Sequence, residues 1–149
     1  MKKTIYYAVF FILVGAVFGR YFHDNIKALS VFNTKDRYYF IQEGVYSSKE
    51  MLDENTKDIS NKVIINDNDK YYVYVGITKD LEIAQIVKNI YDKLGYQTYI
   101  KEVNLNNNEF ANNLEQFDLL VKNSDSDEDV LTVEEVILSN YEEIVLNNK

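Results

Sequence analysis

The 149-residue chain has no cysteine and one histidine, His23. The missing cysteine excludes disulfides, thiolate metal sites and lipid attachment at a cysteine. A single histidine leaves no material for a histidine-based catalytic centre or metal cluster. No Ser/His/Asp, Cys/His or glycine-rich phosphate arrangement occurs, so no catalytic residue is assigned and no cofactor is implied. Ser47 and Ser48 read as helix caps. Proline is also absent and asparagine abundant, but neither separates one function from another.

Positive charge is scarce and unevenly placed. Of the formal net charge of -8, residues 1–37 hold six basic and two acidic residues, 38–103 eight and eleven, and 104–149 two and eleven. Nucleic-acid binding needs clustered Lys and Arg to displace counterions from phosphates, so that class of partner is set aside. The acidic run Ser124–Asp129, SDSDED, lacks the central glycine and twelfth-position glutamate of a calcium loop, and no metal site is assigned.

What the chain does have begins with an apolar N-terminus. Thr4 to Gly19, TIYYAVFFILVGAVFG, is uncharged, and Tyr21 and Phe22 extend it past Arg20. A bilayer core of ~30 Å needs about 20 apolar residues, with ~17 as the lower limit, so the run just spans. Lys2 and Lys3 followed by an apolar core also fit a cleaved leader, but no A-x-A site follows. The expectation is an uncleaved, single-pass signal anchor over 1–22 in the cytoplasmic membrane, then a tether over 23–37, with 23–149 extracytoplasmic. At this length one small domain with attachments is expected.

The middle of the chain repeats itself. Residues 37–48, RYYFIQEGVYSS, align without a gap on 69–80, DKYYVYVGITKD, thirty-two positions on, with Gly44 and Gly76 in register. Each reads as a strand ending in glycine, then a helix. Ser47 with Glu50 suggests a capping box for the first helix, and Thr78 and Gly95 suggest the ends of a second that carries Ile83, Ala84, Val87, Tyr91 and Leu94. Lys62–Ile65 is a short strand, Asn66–Asp69 a hairpin turn, and Tyr96–Val103 a last strand. The order β-α-β-β-α-β predicts an α+β domain: a ferredoxin-like, RNP-like four-stranded antiparallel sheet with two helices on one face.

Alternation along the strands then divides the side chains. Tyr71, Val73, Val75 and Ile41 are expected to face the helices, leaving Phe40, Gln42, Lys70, Tyr72 and Tyr74 on an open face. Aromatic faces and an amide suit a neutral sugar polymer.

Several segments resemble the SPOR domain, the peptidoglycan-binding module named from sporulation-related proteins. Ile41-Gln42-Glu43-Gly44-Val45-Tyr46-Ser47 is similar to its VQVGSFS opening and Val73-Tyr74-Val75-Gly76 to the RVRVG segment of its second half. Leu94-Gly95-Tyr96 with Thr98-Tyr99-Ile100 is similar to its ending, so the resemblance covers 38–103. It implies binding of glycan strands stripped of stem peptides, outside the cytoplasmic membrane. By position it puts the glycan-facing places on Gln42, Val45, Lys70, Tyr72 and Ile100.

Residues 104–149 form an acidic helical extension. Phe110, Leu114, Phe117 and Val121 recur at helical spacing, and Thr132 with Glu135 suggests a capping box for a second helix carrying Val133, Val136, Ile137, Tyr141 and Ile144. Two short amphipathic helices cannot bury their stripes alone, so they are expected to dock within this chain, with an envelope protein as the other possible partner. The leading expectation is a membrane-anchored, noncatalytic peptidoglycan-binding protein of cell division, wall remodelling or sporulation. The alternative is a membrane-tethered adaptor that keeps the fold without the sugar site.

Overall fold

The computed structural model describes residues 36–147, and the segments assigned to anchor and tether before them lie outside that range. Four strands, β1 Asp36–Tyr46, β2 Val63–Asp67, β3 Lys70–Thr78 and β4 Tyr99–Leu105, form one antiparallel sheet in the order β2-β3-β1-β4. Four α-helices follow the chain: α1 Lys49–Asn55, α2 Leu81–Lys93, α3 Asn108–Lys122 and α4 Asp127–Tyr141, the last running into a π-helical turn over Glu142–Leu146. The expected α+β class and strand sequence are present. Lys35–Lys149 make a single compact unit, so the acidic extension packs into the same body as the sheet.

Local chemistry explains where the elements begin and end. Ser48, not Ser47, caps α1 by accepting from the Met51 amide, and Asp80, not Thr78, caps α2 by accepting from Glu82. Thr132 lies inside α4, which starts five residues earlier behind Ser126. Gly95 at φ +94° turns the chain out of α2, a backbone conformation that disfavours residues with a Cβ. Asn68 and Asp69, both at positive φ, close the tight hairpin between β2 and β3.

The sequence repeat turns out to be a symmetric pair of neighbours. Ile41 faces Gly76 and Gly44 faces Val73, while Gln42 faces Tyr74. Val73, Tyr74 and Gly76 are the repeat counterparts of Ile41, Gln42 and Gly44. Each strand also carries one residue without a ladder partner, Glu43 on β1 and Val75 on β3, and these too are counterparts. The two bulges offset one another, so the pairing on either side keeps one register.

Neither glycine ends its strand, contrary to the sequence reading. At Gly76 a Cβ would meet Val87 Cγ1 at 2.9 Å, Glu134 Oε2 at 3.1 Å and Ile41 Cδ1 at 3.1 Å, so α2, α4 and β1 close on the β3 backbone. At Gly44 a Cβ would meet the Tyr46 ring, which folds back so that its hydroxyl donates to the Glu43 carboxylate. Burial, with the nearby Glu43 acceptor, raises the Tyr46 hydroxyl to about 12.

Candidate ligand surface

Partners in a ladder project to the same side, so register defines the faces. Gln42 pairs with Tyr74 and Tyr99, Phe40 with Lys101, Val45 with Tyr72, and Val63 with Tyr74. One face therefore gathers Tyr38, Phe40, Gln42, Val45, Lys70, Tyr72, Tyr74, Tyr99 and Lys101. Ile100 pairs with Ile41 and belongs to the opposite face, partly buried against the core.

Half of this face is not open. Phe40 is 1% and Tyr74 5% exposed, which corrects their assignment to a free surface. The cause is the C-terminal extension. Tyr141 of α4 sets its ring edge-on to Phe40 at 5.4 Å between centroids, and Phe40 meets Tyr74 the same way at 5.1 Å. Phe110 of α3 stacks on Tyr38 and touches Tyr141, closing an aromatic layer over the sheet. Val75, expected toward the helices by simple alternation, is buried but sits at the bulge without a partner on β1.

The other half remains accessible. Tyr99 is 63% and Val45 42% exposed, Lys70 and Lys101 are exposed, and Gln42 and Tyr72 are partly so. Lys101 Nζ lies 5.2 Å above the centre of the Tyr72 ring and 3.5 Å from the Tyr74 hydroxyl. This is a cation–π arrangement that holds the ammonium next to Gln42's strand. Tyr99 and Lys101 were missed in the sequence because the register of β4 was unknown there; alternation places them with Phe40 and Gln42 once Gln42 is matched to Tyr99.

This surface is aromatic, with one amide and two cations. The cleft of about 380 Å³ between Lys79, Asp80, Glu115, Asp118 and Lys122 lies away from it, and there Lys79 pairs with Glu115 and Lys122 with Asp80. Among the described residues, no group of three or more His, Cys, Asp or Glu is placed to hold a metal ion.

No family model, curated protein or solved structure matches the chain. Among the described residues no helix is long and apolar enough to cross a membrane, and the anchor expected over 1–22 lies outside them.

Proposed function

We propose that the chain is a membrane-anchored, noncatalytic, SPOR-like protein that binds denuded peptidoglycan glycan strands outside the cytoplasmic membrane. The observation that supports this reading best is the exposed strip of Tyr99, Gln42, Val45, Tyr72 and Lys101 on one sheet face. Tyrosine rings pack on the C–H faces of sugars, and the Gln42 amide can both donate to and accept from hydroxyl and N-acetyl groups. Muramic acid exposes a carboxylate once its stem peptide is cut away. Lys101, held over Tyr72, is positioned to pair with such a group.

The test uses residues 35–149, because the C-terminal helices complete the core and a fragment ending at 103 would expose it. The purified unit should sediment with cell-wall sacculi, more strongly after stem-peptide removal. Tyr99→Ala with Lys101→Ala should weaken this by roughly tenfold or more, the equivalent of about 1.4 kcal/mol, with no change in melting temperature. Failure to sediment with either preparation rejects the proposal.

A second reading has its own support: the burial of Phe40 and Tyr74 under the extension leaves a smaller aromatic surface than a fully open sheet. That favours a membrane-tethered adaptor acting on an envelope protein. The adaptor reading requires localisation in cells to survive the Tyr99 and Lys101 substitutions.

A further inference from the structure

β2 pairs with β3 only as far as Tyr74, and beyond that point the outer edge of β3 is finished by side chains instead of a strand. The Ile77 amide donates to Glu134 Oε2 at 3.0 Å, and the Lys79 amide to Asp118 Oδ2 at 3.0 Å. The Thr78 hydroxyl donates to Asp118 Oδ1 at 2.8 Å. Strand amides that would otherwise be orphaned are thus satisfied by two carboxylates from the α3–α4 hairpin.

Glu134 is 1% exposed, and its Oε1 has no hydrogen-bond partner among the described residues. Among the described residues, the charged and titratable groups around it bring no compensating cation. From α3 comes Asp118, a second carboxylate, while Lys122 is taken by Asp80. At the end of β3, Lys79 pairs with Glu115. From α2 comes the Tyr91 phenol, and Lys93 is bound to Asp127. In the loop before β2, Lys62 is held by the carbonyls of Thr56 and Ile59, and Asn61 bonds Glu135 on α4 itself. The turn after α4 adds only Glu142 and Glu143.

We propose that the α3–α4 hairpin is a proton-dependent latch: protonated Glu134 holds α4 on the edge of β3, and loss of that proton releases it. Burial, followed by repulsion from Asp118, raises the Glu134 carboxyl to about 8, against the lowering effect of the Ile77 amide. Burial likewise raises Asp118 to about 6. An acid whose docked pKa lies above its free value holds an extra proton when docked. Docking is therefore strongest below about pH 4.5, weakens through the window up to about pH 8, and levels off above it. This latch is independent of what the sheet face binds.

Hydrogen exchange over residues 75–80 of the full chain, corrected for intrinsic rate, measures the opening. Between pH 6 and 8 ionisation of Glu134 should make the unmodified protein open roughly fiftyfold more often, about sevenfold per pH unit on average. Glu134→Gln keeps an oxygen to accept from Ile77 and cannot ionise, so its corrected opening should rise only about twofold over the same range, the part that Asp118 contributes. Matching profiles for the two proteins overturn the latch. Should the variant not fold, infrared spectroscopy of the unmodified chain decides: a protonated-carboxyl band at pH 7 that fades with a midpoint near 8 supports the latch, and its absence at pH 7 refutes it.

Discussion

Replacing Gly76 by Ala isolates the point where three elements meet. The added methyl would lie 2.9 Å from Val87 Cγ1, 3.1 Å from Ile41 Cδ1 and 3.1 Å from Glu134 Oε2. Each neighbour resists for a different reason. Val87 is β-branched on a helix and has essentially one rotamer; Ile41 is fully buried in β1; Glu134 is tied to the Ile77 amide. No single side-chain movement relieves all three, so α2 and α4 must shift together. Overpacking of this kind costs about 1–3 kcal/mol, which in a domain of this size lowers Tm by roughly 5–15 °C. Gly95→Ala is the control: its methyl meets nothing within 4 Å, and only the φ of +94° penalises it, by about 1–2 kcal/mol. Equilibrium urea unfolding followed by circular dichroism, with the unfolding slope checked for constancy, gives both values. A Gly76→Ala protein as stable as the wild type would show that the helices do not close on β3 as described.

Two further substitutions examine the extension. Tyr141→Ala removes the ring that covers Phe40 and touches Phe110, and should cost about 3–5 kcal/mol in urea unfolding, with increased dye binding to newly exposed aromatic surface. Asp80→Ala deletes the cap of α2 and the partner of Lys122, and a loss of about 1–2 kcal/mol is expected, most of it from the cap.

Much of the fold was legible because its signals are local. The turn residues before Lys70 marked the hairpin, Gly95 marked the end of α2, and the Phe110, Leu114, Phe117 and Val121 stripe marked α3. The caps of α1 and α2 were displaced by one or two residues where two candidates stood close together, as with Ser47 and Ser48, and that of α4 by six, from Thr132 to Ser126. Alternation placed Phe40, Gln42, Tyr72 and Tyr74 on one face, yet could not say what covers it. That depends on the docking of Tyr141, which lies sixty-seven residues beyond Tyr74 and announces itself in the sequence only as one apolar position on a helix. Glu134 was invisible for the same reason. Beside Glu135, between Val133 and Val136, it carries no local mark of a buried role, and only the unfinished edge of β3 gives it one.

The symmetric register of β1 and β3 has a consequence for assembly. A segment that pairs antiparallel with its own repeat is self-complementary, so either half could pair with the opposite half of a second molecule. Two chains exchanging halves would lose no ladder hydrogen bond between β1 and β3. Identity of contacts therefore gives the ladder no preference for its own chain. Preference comes from residues 47–69, the connection that keeps the second half at high effective concentration beside the first.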